Sequence, residues 1–340
     1  MELLRIVAMF LVLVVHADFY SLSMPTPEQV YTSAAPSALK FLIESLSVVC
    51  VNCFVLLSGW FGIRPSIKGF GNFIFQCGFF LFGIYAVCLI GGWVQLSVKG
   101  IASLFLLIDP YDWFIKAYIG LYILSPVLNA FIEHASRKQL KHTLVLFFVF
   151  QTLYGWIASR GAFFMDGYSA ISFIGLYLLA RYTNLYKPRY SGMGKWRDMS
   201  VFLFMALLGA GAAYGLQYFG LPGVYRMYAY TSPLVITGAL FLLLFFSKVK
   251  MQNRFVNWVG ASSFAAYLLH ANPNIGESYF KPWVVRIYES LDGIVCIVAI
   301  FIFLVLVFVA AVLIDQFRLL LWKKVLLVFE NKKIKCLSKL

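Results

Sequence analysis

The sequence predicts an all-α polytopic membrane protein of about ten transmembrane helices, with both termini in the cytoplasm. Three observations carry that prediction. The chain of 340 residues is 62% hydrophobic and only 12% charged, whereas soluble domains carry about 25% charge. Apolar runs near the ~20 residues that cross a bilayer recur from end to end. The basic residues, finally, fall on alternate connections rather than in one patch.

Apolar windows bounded by Pro, Gly and charged breaks place the helices at 3–22, 39–62, 71–96, 113–132, 142–159, 168–184, 199–219, 231–247, 258–273 and 293–316. The ninth is the weakest window, because Pro273 ends it early. With the N-terminus inside, the inner segments hold 21 of the 28 Lys and Arg residues. They include Arg5, Arg64, Lys68, the 181–197 cluster and the tail from Arg318 to Lys339. Only seven fall outside, Lys40, Arg160 and Arg226 among them. That asymmetry follows the positive-inside rule and requires an even number of spans. The net charge of +14 is therefore topological, and nucleic acid is excluded as a partner. The domain reading is a membrane unit over 1–317 and a basic cytoplasmic tail over 318–340. The small residues at 34–38 resemble a signal-peptide cleavage site, but no basic stretch precedes the first run, so it reads as a retained helix.

The outer connections differ in character. Prolines punctuate 23–38, a short apolar piece at 101–108 ends in Asp109-Pro110-Tyr111-Asp112-Trp113, and 274–292 is charged. Trp113, Tyr225, Tyr228, Tyr230 and Trp283 read mainly as interfacial anchors, with stacking on sugar rings as the other option. Residues 118–125 resemble residues 173–180; the plain reading is a Gly that lets helices approach closely. Five of the six cysteines lie in apolar spans and behave as small hydrophobes. Cys50 and Cys53 have metal or redox spacing, but no second pair supports a metal site or a disulfide framework.

Ionisable groups at membrane depth are expensive, and they mark candidate chemistry. Arg5 and His16 flank an apolar decapeptide. Eleven residues are about three helical turns and roughly 16 Å, so both lie on one face, about half a bilayer apart. His16, Glu44 and His270 share the outer leaflet on this topology. Histidine is the side chain suited to take a proton from an attacking hydroxyl near neutral pH. A structural hydrogen bond is the alternative for each histidine, and Glu44 either orients one or reaches the interface. Asn52, Ser58 and Gln151 could donate to an oxyanion or a substrate. Arg5, Arg64 and Lys68 converge on the inner mouth between the first two helices, where they could hold phosphates or lipid headgroups. No metal ligand set is read.

Glu2-Leu3-Leu4-Arg5, ten residues and His16 together resemble the opening of the acyltransferase type 3 family of integral-membrane enzymes. Residues 52–60, ending Leu57-Ser58-Gly59-Trp60, resemble its second-helix motif. Segments 112–126 and 263–270 are similar to parts of its polysaccharide-modifying members. The resemblance implies an O-acyltransferase, commonly an O-acetyltransferase, of the bacterial plasma (inner) membrane. It would move an acyl group from cytosolic acetyl-CoA, or another acyl-CoA, to a hydroxyl of a surface polysaccharide or lipid-linked glycan. Acyl-CoA is then a donor substrate and no cofactor is bound. Arg5 and His16 carry over as essential positions, with Ser58 and Gly59 as motif members on the donor side. The Arg-x-x-Arg of many members is reduced here to Lys68, which shifts donor contact toward Arg5, Arg64 and Lys68 together. The competing expectation is a transporter of a glycan or acyl intermediate, which would show repeat symmetry and broken helices in both halves. A structural scaffold would leave the Arg5–His16 motif without a use.

Overall fold

A computed structural model describes residues 1–107, 112–158, 163–251 and 253–337. The Asp109-Pro110-Tyr111 turn, Arg160 and Lys339 lie outside the described residues. The chain is 83% helical, with no strand among the described residues.

Helix α1 (Glu2–Val15) runs straight into a π-helical turn at His16–Tyr20. The short α2 (Pro27–Thr32) follows, with Thr26 and Gln29 forming a reciprocal capping box. Then α3 (Ala34–Ser47) and α4 (Cys50–Phe61) form one nearly continuous rod. Next come α5 (Ile67–Ile90), α6 (Val98–Leu104), α7 (Trp113–His134), α8 (Arg137–Gln151) and α9 (Ala170–Tyr186). The remainder is α10 (Lys195–Tyr218), α11 (Val224–Met227), α12 (Pro233–Ser247), α13 (Arg254–Ser262), α14 (Phe264–His270), α15 (Pro273–Ile275), α16 (Lys281–Ser290) and α17 (Gly293–Leu337).

Among the described residues, seven helices are long and apolar enough to cross a membrane: Glu2–Tyr20, Ala34–Phe61, Ile67–Ile90, Trp113–His134, Arg137–Ile157, Lys195–Tyr218 and Gly293–Leu327. The other three windows are helical but shorter. Helix α9 has 17 residues, α12 has 15, and the ninth window breaks at Ser263 into α13 and α14. The expected boundary at 317 is not a break in the backbone, because α17 continues helically to Leu337.

The α3–α4 rod is the axis of the bundle: 72% of its apolar window is buried, against 22% for the window in α17. Its closest approach is at Gly59, where a Cβ would lie 2.5 Å from the Tyr177 carbonyl oxygen on α9. Only a glycine admits that contact. The repeated motif has the same plain cause. A Cβ at Gly175 would meet Phe147 at 2.0 Å, and one at Gly120 would meet Ala170 at 3.0 Å.

Two polar devices keep helices intact in an apolar setting. Pro126 inside α7 cannot donate to the Tyr122 carbonyl, and the Ser125 hydroxyl donates to that oxygen instead, at 2.7 Å. Within α17, Arg318 is not a solvated tail residue as its sequence position suggests. It is 1% exposed and makes two hydrogen bonds to Asp315, with a third from Nη1 to Asn72 on α5. Gln76 donates to the same Asp315 carboxylate at 2.9 Å. Such a pair survives burial because every strong donor and acceptor is answered.

Candidate active site

The π turn shapes the first site. Closing wider rings than an α-helix, it ends α1 without ending the chain's helical course, and such turns concentrate at functional sites. The Ser21 hydroxyl donates to the His16 carbonyl at 2.6 Å, and Lys40 reaches the carbonyls of Leu22 and Ser23 at 3.2 and 2.6 Å. Glu44, on α3, is buried beside this turn and lines the adjoining cavity.

His16 and His270 meet across α1 and α14, with Nδ1 of His16 2.8 Å from Nε2 of His270. On its other side, Nδ1 of His270 hydrogen-bonds the Ala266 carbonyl. A carbonyl only accepts, so that nitrogen carries the proton and Nε2 of neutral His270 is an acceptor. The proton between the rings then sits on Nδ1 of His16. Its Nε2 keeps a free lone pair. His270 is 1% exposed and lies behind His16, outside the cavity wall.

The histidine cavity encloses about 560 Å³. His16 and Glu44 enter it, with Asp166 and Arg226 as further polar groups. Trp113, Tyr168 and Tyr230 form one aromatic wall. Trp113 packs against Tyr168 with centroids 4.3 Å apart, and its ring stacks on Tyr230 at 5.8 Å. Tyr225 and Tyr228, like Trp113 and Tyr230, thus line this cavity, whether or not they also anchor at an interface. At the rim, the Tyr20 hydroxyl hydrogen-bonds Glu277, and Lys281 lies over the Tyr20 ring.

A second cavity of about 420 Å³ holds Arg5, Ser58 and Arg64. Arg5 is paired with Glu2 at 2.6 Å, and the Ser58 hydroxyl lies 3.2 Å from that of Tyr118. The chain between α4 and α5 is strapped down around Arg64. Gly62 turns it with φ +76°, a backbone conformation favouring glycine. Tyr177 then accepts from the Ile63 N–H at 3.0 Å and donates to Asn129, whose amide returns to the Ile63 carbonyl at 2.8 Å. Tyr122 binds both the N–H and the carbonyl of Ser66, at 2.9 and 3.1 Å. A loop with its backbone satisfied on both sides presents Arg64 from a fixed position.

The remaining candidates fall elsewhere. Lys68 is exposed on the first turn of α5, outside the arginine cavity wall. Gly59 is spent on the contact with α9. Asn52 is fully buried with its amide donated to the Tyr230 carbonyl at 3.0 Å, one step behind the histidine cavity. Gln151 is 2% exposed and lines neither cavity. Sequence reasoning missed Asp166, Tyr168 and Tyr267 in one cavity, and Gln76 in the other. Met165 and Asp166 both have positive φ, 48° and 56°, a strained turn whose Asp-Gly dipeptide marks a turn without indicating a site. Cys50, Cys53, Cys77, Cys88 and Cys296 are free and buried, and the described residues hold no cluster able to bind a metal.

A helical bundle of membrane-crossing length with two polar cavities opening beside one helix defines a multi-pass membrane protein. The acyltransferase domain family model, type 3, matches residues 1–316, and the chain belongs to that family of membrane acyltransferases. No curated protein and no solved structure matches.

Proposed function

We propose that this is a membrane O-acetyltransferase of a bacterial inner membrane, moving acetyl from cytosolic acetyl-CoA to a hydroxyl of a surface polysaccharide or lipid-linked glycan. On this reading the ten helical windows make ten crossings with both termini cytoplasmic. The arginine cavity then faces the cytosol and the histidine cavity faces outward. Arg5 and Arg64 hold the anionic end of the donor, where guanidinium forks match phosphate geometry. The thioester end extends toward His16, over roughly the 16 Å that eleven helical residues span.

The observation that carries the reading is the His16–His270 pair at the wall of an aromatic cavity. Nε2 of His16 takes the proton of the acceptor hydroxyl as its oxygen attacks the acyl carbonyl. The new C–O bond forms, the C–S bond breaks, and the departing thiolate recovers the proton from His16. During the charged interval Nδ1–H of His16 donates to Nε2 of His270, which keeps the ring oriented. His270 is a positioning residue in this scheme and does not touch substrate. The aromatic wall suits a sugar, whose C–H faces pack on rings while its hydroxyls reach Glu44 and Asp166.

The test is His16→Ala in the producing cell, with the O-acetyl signals of the envelope glycan followed by NMR. Loss of those signals, with the protein still in the membrane at normal abundance, is the expected result. Undiminished acetylation would remove His16 from the chemistry.

A further inference from the structure

Phe54, Phe114 and Phe264 each line both cavities. They come from α4, α7 and the first residue of α14. Phe114 is the central ring, with centroids 6.4 Å from Phe54 and 6.0 Å from Phe264. Edge-to-face and tilted rings at such spacing are in van der Waals contact. The two cavities are thus separated by a wall one aromatic side chain thick, with no polar atom in the three rings.

The wall is buttressed unevenly. Phe114 is 8% exposed and also stacks on Tyr118 at 6.0 Å, whereas Phe54 and Phe264 are only half-buried. Phe264 directly follows the break at Ser263, where the backbone changes helix. Its ring stacks on Phe73 toward the arginine cavity and on Tyr267 toward the histidine cavity, at 5.8 and 5.7 Å. It touches both sides.

We infer that these three rings form an apolar septum that passes the acyl end of the donor and selects neutral acyl groups over charged ones. This rests on reading the two cavities as donor and acceptor sides of one enzyme. Displacing one ring opens a slot suited to a methylene-like arm. A carboxylate carried through the same slot leaves water with no donor to replace it, a cost the acetyl group does not meet. Closed, the rings also keep the two aqueous mouths from joining, which a membrane bearing a proton gradient requires.

Two readouts on the full-length protein test the septum. In proteoliposomes, the decay of an imposed pH gradient is followed with an entrapped pH-sensitive dye. Wild type should hold the gradient, and F54A/F114A/F264A should collapse it at least tenfold faster, while leucine replacements at the same positions stay tight. A folded alanine variant as tight as wild type would overturn the septum. F264A alone supplies the same comparison should the triple variant not fold. In membranes, transfer from acetyl-CoA is compared with transfer from succinyl-CoA. Wild type should prefer acetyl, and the alanine variant should narrow that preference at least tenfold; an unchanged ratio would overturn the selectivity. If wild type transferred no acyl group from any donor, the proposed function would fail, while the proton readout would still decide whether the rings seal.

Discussion

The two cavities are of similar size, about 560 and 420 Å³, yet they are built from different materials. One carries a histidine backed by a second histidine, two carboxylates beside the single guanidinium of Arg226, and a wall of aromatic rings. The other carries two arginines and a loop whose backbone is tied by tyrosine and asparagine side chains. A histidine pair can exchange a proton but holds a polyanion poorly. Guanidinium groups hold a polyanion but cannot give up a proton. On the proposed function, the contrast separates binding and proton chemistry along one helix, with Arg5 and His16 at its two ends. A single polar site would have needed both functions in one place, where a cationic cluster would discourage protonation of the base.

The largest break in that contrast is His16→Ala. Removing a general base costs about 10²–10⁴-fold in rate, so kcat should fall by that order while the KM for acetyl-CoA stays near wild type. Radiolabelled acetyl transfer in membranes reads both values. On the opposite side, Arg64→Ala should act in the complementary way. A hydrogen bond to a charged group contributes about 1.5–3 kcal/mol, so the KM for acetyl-CoA should rise about ten- to a hundredfold with kcat largely kept. If both variants lowered kcat alone, the separation of roles would be wrong.

His270 offers a finer cut. His270→Ala removes the acceptor for Nδ1–H of His16 and the bond to Ala266, and should lower kcat about tenfold, at the low end of the acid–base contribution. His270→Gln can still accept from His16 and donate to a carbonyl, and should restore most of the loss. A residue that merely filled space would respond equally to both changes. The smallest effect on transfer is expected at Asp315→Asn. Breaking one partner of a buried ion pair costs about 3–5 kcal/mol of stability, which a melting curve in detergent would show as a lowered midpoint. Transfer measured well below that midpoint should be nearly normal, because neither Asp315 nor Arg318 lines a cavity.

The contrast was partly legible in the chain itself. The apolar decapeptide between Arg5 and His16 sets their depth and common face through helix geometry alone, and the structure puts them in different cavities on that helix. The pairing with His270 needed the fold, since 254 positions separate the two rings. Trp113, Tyr225, Tyr228 and Tyr230 look like interfacial anchors because rings near a membrane edge serve anchoring and lining equally well; only the packing of α7 against the 165–168 turn distinguishes them. Arg318 reads as tail charge because its partner Asn72, and Gln76 that donates to its companion Asp315, lie on a helix about 240 residues earlier. Gly59 stands in a family-like motif, yet its spacing to Tyr177 explains it by packing alone. Asp166-Gly167 signals a turn in the chain, but nothing local says which cavity that turn faces; the bond from the Tyr230 N–H to the Asp166 carbonyl, which ties it to a distant segment, needed the fold.

The central claim is that an acyl group enters beside the arginines and leaves beside the histidines, across the membrane. Acetyl-CoA does not cross membranes, so sealed vesicles from the producing cell test it directly. Radiolabelled acetyl-CoA is supplied outside inverted vesicles, which expose the cytoplasmic face, and outside right-side-out vesicles. The account predicts label on the envelope glycan in inverted vesicles only, abolished by His16→Ala. Equal labelling in both orientations, or labelling that persists without His16, would contradict it.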